Sequence, residues 1–212
     1  MATTIRARSA FRQNCGATPY ADRDGSDRSP VRHYVVGVDT STSQRSPWLR
    51  QLPPTVVTEV RRRRSAILAG VTGRVLDLDT PGALTLVEAA AGGDGVTDDE
   101  RYDTIVCTCR LIEVPDLLRA ATGLARLLAA DGDLYLIEPV NRAGPVGLLT
   151  SSAGTLLPAV AGLHLARDVP AALRATGLTV VDIDRFTIPT LVWPLRRFIE
   201  ARARVVTAEV MA

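Results

Sequence analysis

The chain after residue 72 alternates apolar runs with amphipathic segments, and this alternation limits the folds open to it. Most of the runs carry hydrophobic side chains on both faces, which is typical of strands buried inside a parallel sheet. Five runs are predicted as strands: residues 74–78, 102–107, 133–137, 178–183 and 198–206. The last run also fits a helix, because Ala and Arg alternate within it.

Helical periodicity occupies the segments between these strands. Residues 83–91 form a short predicted helix, and a second begins after Asp116, which suits an N-cap, and ends before Gly132. A third follows Asp168, with Gly177 just past its end. Strands that alternate with helices predict an α/β fold, with a mostly parallel sheet and helices on both faces.

The residues before this alternation have a different composition. Residues 1–33 are rich in Arg, Ser, Asp, Gly and Thr and show no apolar periodicity. We therefore expect a largely disordered N-terminal arm over residues 1–53 and a single domain over residues 54–212. A short apolar run at residues 34–39 is either a strand or a chance feature of the arm.

A helix is also predicted over residues 55–68, after two prolines, and it contains the four consecutive arginines Arg61 to Arg64. Four successive residues point all round a helix. We interpret them as a solvated helix surface, and the alternative is an anion-binding patch.

The composition excludes several classes of function. All 25 basic residues are Arg, so no mechanism that needs a lysine is open to the chain. The net charge of +2 is too small to favour nucleic acid, and no nucleic-acid partner is predicted. The three cysteines match no zinc spacing and fit a reducing, cytoplasmic compartment. No metal is predicted, although an acidic loop offers an alternative cation site at Asp94, Asp98, Asp99 and Glu100.

Three segments resemble one enzyme family when they are taken in order. Residues 73–83 run Gly-Arg-Val-Leu-Asp-Leu-Asp-Thr-Pro-Gly-Ala, residues 102–107 run Tyr-Asp-Thr-Ile-Val-Cys, and residues 134–139 run Leu-Tyr-Leu-Ile-Glu-Pro. They resemble the first strand with its glycine loop, the fourth strand and the fifth strand of class I S-adenosylmethionine-dependent methyltransferases, of the ubiquinone- and menaquinone-biosynthesis type (methyltransferase type 11). Residues 164–189 are also similar to that family. The resemblance implies a reduced Rossmann-like fold with residues 74–78 at the centre of the sheet.

The loop after the first of these strands departs from the family pattern. Its three glycine positions hold Asp79, Pro81 and Ala83, while Gly82 is one position out of register. Glycine lets backbone amides approach a cofactor closely, whereas proline has no amide hydrogen to donate. We therefore expect S-adenosylmethionine binding to be weak or lost, and an ordinary turn without a ligand is the alternative.

The family's second and third strands are missing or displaced. Only ten residues, 92–101, separate the helix at 83–91 from the next strand, whereas a βαβ unit takes about 30 residues. The run at 34–39 could replace the second strand by pairing beside residues 74–78. Asp39 would then lie at its carboxyl end, where acids bind ribose hydroxyls in related sites.

The resemblance also suggests the residues of the site. The cofactor-binding candidates are Asp39, Asp77, Asp79, Thr80, Gly82, Cys107 and Thr108. The catalytic candidates are Glu138 and His164, each as a general base. The alternatives are a Glu138 carboxylate bonded to loop amides and a packed His164. Cys107 and Cys109 are expected to face the same side, as buried thiols.

Residues 143–166 contain no Asp, Glu or Arg. Two prolines and four glycines interrupt the segment, so no membrane span is predicted. An apolar lid over a small hydrophobic substrate, a peripheral membrane contact or a homodimer surface would each use it. The predicted function is that of a methyltransferase-like protein with a small hydrophobic acceptor if it is active. The alternative is a pseudoenzyme, a non-catalytic relative that acts as a binding or interaction module.

Overall fold

The computed structural model describes residues 35–36, 53–93, 96–140, 164, 167–189 and 196–205. All of these residues belong to the second of two units into which the chain divides, Arg32–Ala212. The strands are β1 (Val35–Val36), β2 (Val75–Asp77), β3 (Tyr102–Thr108), β4 (Leu128–Pro139), β5 (Leu178–Thr187) and β6 (Arg197–Val205). The helices are α1 (Pro54–Gly70), α2 (Ala83–Gly92), α3 (Leu117–Leu127) and α4 (Val169–Ala175), with a 3₁₀ turn at Asp98–Glu100.

Among the described residues the strands form one six-stranded mixed sheet in the order β1-β2-β3-β4-β6-β5. The first four strands of this order are parallel, and β6 is antiparallel to both β4 and β5. The predicted α/β class with a mostly parallel sheet is therefore confirmed, and the arrangement is Rossmann-like. The strand at β2 is parallel to β3 as expected, but it lies second from the edge rather than at the centre.

The short strand β1 lies beside β2 and runs parallel to it. Val35 is opposite Val75, and Val36 is opposite Leu76. The apolar run at 34–39 is therefore a strand at residues 35–36, and it occupies the position proposed for the displaced strand. Asp39 lies outside the described residues.

Apolar side chains cover both faces of the sheet and bury it between helices. On one face α1 packs Val56, Val60 and Ile67 against a cluster that includes Val106 and Ile137. On the other face α2, α3 and α4 pack against a larger cluster, whose members from the strands include Leu76, Ile105, Leu134, Leu136 and Ala201. The prediction of helices on both faces is confirmed.

The predicted helix caps explain where two of the helices begin. The Asp116 side chain accepts a hydrogen bond from the Arg119 amide at 2.9 Å, and the Asp168 side chain accepts one from the Ala171 amide at 2.9 Å. Gly177 follows α4 with a φ of 82°, in the left-handed region that glycine tolerates best. The predictions for Asp116, Asp168 and Gly177 are confirmed.

The predicted end of the helix that follows Asp116 is wrong. Gly132 was expected just past that helix, but α3 ends at Leu127 and β4 already begins at Leu128. The Leu128 side chain is fully buried and lies opposite Tyr102 of β3. Sheet pairing therefore extends the strand back over residues whose sequence suggested a helix end.

The segment at 143–166 lies outside the described residues except for His164. Among the helices that the structure describes, none is long and apolar enough to cross a membrane.

Candidate functional site

The carboxyl ends of β2, β3 and β4 meet at one edge of the sheet, because the three strands are parallel and adjacent. Ligands of open α/β sheets bind at this edge. Asp77 ends β2, Thr108 ends β3, and Glu138 is the penultimate residue of β4. All three side chains are buried. The structure thus brings together one predicted site residue from each strand.

The acids at the end of β2 are paired with an arginine of α1. The Arg64 guanidinium forms an ion pair with the Asp77 carboxylate, and its Nε lies 3.2 Å from the Asp79 carboxylate. The side chains of Asp77 and Asp79 are 4% and 11% exposed, and that of Arg64 is 25% exposed. The Arg64 guanidinium therefore forms ion pairs with two largely buried carboxylates.

The arginine run was expected to be a solvated surface, and this is wrong for two of its four members. Arg63 bonds Glu59, Asp184 and Glu200 and lies 3.7 Å from the centre of the Phe186 ring. Arg64 was missed as a site residue. The signal was present, because Arg63 and Arg64 follow the buried Val60 by three and four residues and so lie on its side of the helix.

The electrostatics at Asp79 reflect its crowded position. Burial, together with the nearby Asp77 carboxylate, raises the pKa of Asp79 to about 6, although Arg64 and Arg110 lower it. Its Oδ1 atom is buried and has no hydrogen-bond partner among the described residues. The Asp79 carboxylate is therefore only partly compensated by Arg64.

Three backbone amides of the loop after β2 donate hydrogen bonds within the loop itself. The amide of Asp79 donates to Asp77 Oδ1 at 3.1 Å, and that of Thr80 donates to the Asp77 carbonyl at 3.0 Å. The amide of Ala83 donates to the Thr80 carbonyl at 3.1 Å. Pro81 has no amide hydrogen.

These bonds leave few of the donors that a cofactor's carboxylate would need. Gly82 has a φ of 82° and starts α2, so it serves the turn as the helix N-cap. Thr80 and Gly82 lie in the predicted loop, but their predicted cofactor contacts remain predictions.

Glu138 is fully buried and is held by the turn after β3. Its Oε1 atom accepts hydrogen bonds from the amides of Arg110 and Leu111, at 2.9 and 3.0 Å, and from the Cys107 thiol at 3.3 Å. Its Oε2 atom is buried without a hydrogen-bond partner in the described part of the chain. These contacts agree with the alternative prediction for Glu138, in which its side chain bonds loop amides instead of acting as a general base.

The buried carboxyl has a strongly shifted proton affinity. Burial raises the pKa of Glu138 to about 8, although the Leu111 amide, the Cys107 thiol and the Arg110 amide lower it. A carboxyl with that value keeps its proton near neutral pH and can act as a hydrogen-bond donor. Its role as an acid or base toward a substrate remains a prediction.

The two cysteines face opposite sides of the sheet, contrary to expectation. Cys107 belongs to the cluster beneath α2 and α3, whereas Cys109 belongs to the cluster beneath α1. The alternation breaks because Cys109, just past β3, has a φ of 55°. Both thiols are buried and no disulfide joins them, and burial raises the pKa of each well above its usual value.

The other predicted residues are spread around this edge. The Thr108 hydroxyl is buried, and no hydrogen-bond partner for it lies among the described residues. His164 is exposed, and its amide donates to the Ile112 carbonyl in the turn that Glu138 holds. Burial lowers the pKa of His164, and Arg167 lowers it further.

The proposed alternative of a cation site in the acidic loop finds no support in the described residues. No three His, Cys, Asp or Glu side chains are grouped there so as to hold a metal ion. Asp94 itself lies outside the described residues.

Comparison with known proteins gives neighbours in structure alone. No family model matches the chain, and no curated protein matches it in sequence. The N-methyltransferase NodS of Bradyrhizobium japonicum, solved with S-adenosylhomocysteine, is 14% identical, with a TM-score of 0.48 over 76% of this chain and 92% of that chain. The 1,6-didemethyltoxoflavin-N1-methyltransferase of Burkholderia thailandensis is 14% identical, with a TM-score of 0.43 over 75% and 81%.

A third neighbour is LepI, solved with S-adenosylmethionine. It is 11% identical, with a TM-score of 0.44 over 72% of this chain and 41% of that chain, so the chain spans less than half of LepI. Identities and TM-scores this low assign no family, cofactor or activity to the chain.

Proposed function

We propose that this chain is a methyltransferase-like protein in which S-adenosylmethionine binding is weak or lost, and that it acts as a binding or interaction module. The observation that carries the proposal is the Arg64 guanidinium, which serves both carboxylates at the end of β2. At the edge of the sheet where a ligand would bind, these two carboxylates are thereby partly neutralised from within the protein.

The loop contributes a second, energetic argument. Pro81 lacks an amide hydrogen, and the amides of Asp79 and Thr80 donate within the loop. Each hydrogen bond that a charged ligand group loses costs about 1.5–3 kcal/mol. Two such losses weaken binding by roughly a hundredfold or more, because about 1.4 kcal/mol corresponds to a tenfold change.

A working methyltransferase is the second candidate, and the pairing of β1 with β2 favours it. That pairing restores a strand beside β2, and Asp39 follows β1 by three residues. An acid there would compensate for part of the altered loop. The acceptor would be a small hydrophobic molecule, and the Glu138 carboxyl and His164 would be the candidate bases.

The apolar segment at 143–166 suggests the partners of such a module. Its lack of charged residues favours a second copy of the chain, a small hydrophobic ligand or the surface of a membrane over nucleic acid.

A methyl-transfer assay tests the proposal. The purified protein is incubated with radiolabelled S-adenosylmethionine and a panel of small hydrophobic phenols, quinols and amines. We expect no transfer above the protein-free blank. Transfer that depends on protein concentration would overturn the proposal and favour the second candidate, and an Asp39→Ala variant with reduced transfer would then place Asp39 in the site.

A further inference from the structure

Arg64 differs from its neighbours on α1 in what it reaches. Arg62 bonds Glu59 one turn away on the exposed surface, and Arg63 bonds acids of β5 and β6. Arg64 reaches the end of β2, where the sheet would present its ligand-binding edge. We infer that the Arg64 guanidinium occupies the position that a ligand's cationic group would take, and that it must be displaced before such a ligand binds. We call this side chain the plug.

This inference rests on the proposed function, since it names what keeps the cofactor end closed. The carboxylates of Asp77 and Asp79 are 4% and 11% exposed, and carboxylates buried to that degree need a cation or several donors. Arg64 supplies that cation. A ligand with an ammonium or guanidinium group would offer the same chemistry and would compete for the same oxygens.

A second observation points to a ligand on this face of the sheet. Thr108 is 1% exposed, and its hydroxyl has no hydrogen-bond partner in the described part of the chain. Asp77 lies opposite Val106 in the parallel register, so Thr108 is two residues further along the same face. Asp79 Oδ1 is also without a partner there. Donors from a ligand would satisfy these atoms once the guanidinium has moved.

The helix that carries Arg64 is packed against the sheet, whereas the Arg64 side chain is partly exposed. Val56 and Val60 of α1 are 0% and 2% exposed, and Arg63 fastens the helix to β5 and β6. The Arg64 side chain is 25% exposed, so it can rotate toward solvent without unfolding α1. Displacement is therefore a side-chain movement.

Calorimetric titration with S-adenosylhomocysteine, whose ammonium group makes it a suitable probe, tests the plug. The protein series is wild type, Arg64→Ala, Arg64→Gln and the control Arg62→Ala, which makes the same substitution on the same helix. Circular dichroism checks that each variant is folded. Arg64→Gln keeps a hydrogen-bond donor near Asp77, so the affinity of this variant for the probe can be measured even if Arg64→Ala does not fold.

We expect Arg64→Gln, and Arg64→Ala if it folds, to bind the probe about tenfold or more tightly than wild type, because one charge-assisted hydrogen bond is worth at least that factor. Arg62→Ala should bind as wild type does. Equal, weak binding by wild type and a folded Arg64→Gln would overturn the plug and leave the proposed function standing. Low-micromolar binding by wild type would instead contradict the proposed function, and a further gain in Arg64→Gln would still support the plug.

Discussion

Glu138 combines full burial with a single well-bonded oxygen. Its Oε1 atom accepts from two adjacent backbone amides, of Arg110 and Leu111, and from the Cys107 thiol. The opposite oxygen has no partner in the described residues. The side chain thereby fixes the turn after β3, and a neutral carboxyl suits that environment better than a carboxylate does.

This arrangement predicts a stability that falls as pH rises. The Glu138 pKa is raised from its ordinary value of 4.5 to about 8. Between these values the folded chain keeps a proton that the unfolded chain has released, so the stabilisation present at low pH is lost as pH rises through 8. We expect the free energy of unfolding to fall by about 1.5 kcal/mol between about pH 6.5 and about pH 8.

Urea denaturation across that interval measures the effect. Glu138→Gln mimics the neutral carboxyl in shape and hydrogen bonding, so it should flatten the dependence. This pH interval lies above the Asp79 pKa of about 6, so the titration of Glu138 is measured apart from that of Asp79. A Glu138→Gln variant with the same pH dependence as wild type would show that Glu138 is ionised in the folded protein.

At the scale of elements, the pairing of α2 and α3 depends on one glycine. A Cβ atom added at Gly123 of α3 would overlap the Val87 carbonyl oxygen of α2. That oxygen belongs to the backbone, so neither helix can accommodate the methyl group without moving. The cluster beneath the two helices, which includes Val87, Leu124 and Leu134, would be disturbed.

Gly123→Ala should therefore destabilise the fold by about 1–3 kcal/mol, the usual cost of overpacking, even though alanine favours a helix. Gly70→Ala is the matched control, because a Cβ atom at Gly70 of α1 meets nothing within 4 Å. Its effect should be neutral or slightly stabilising. Thermal unfolding measures both variants, and equal midpoints would contradict the close approach of α2 to α3.

The sequence predicts most of the helices and strands of this fold, but not all of their boundaries and contacts. Periodicity located the helices and strands from residue 54 onward, because buried faces repeat locally. The boundary between α3 and β4 was missed, since the pairing of Leu128 with Tyr102 is a tertiary contact. The opposite facing of Cys107 and Cys109 was missed because it depends on one φ angle, that of Cys109. The helical spacing from Val60 places Arg64 on the buried side of α1, but it does not identify the acids of its ion pairs, which lie 13 and 15 positions along the chain.

Across the whole molecule, the sheet includes a strand, β1, that comes from a distant part of the sequence. β1 comes from before α1, yet it pairs in parallel with β2, on the side away from β3. The sheet can therefore keep a strand beside β2 although residues 92–101 leave no space for a βαβ unit. The sheet thus has a strand on each side of β2, and Arg64 forms ion pairs with Asp77 and Asp79 where β2 ends.

The most direct test of this account is the affinity of the wild-type chain for S-adenosylhomocysteine, measured by calorimetric titration. The committed loop amides, the missing donor at Pro81 and the Arg64 ion pairs predict a dissociation constant in the high micromolar range or weaker. Low-micromolar binding would contradict that prediction. If such binding also survived deletion of residues 1–50, it would exclude a contribution from β1 and Asp39 as well.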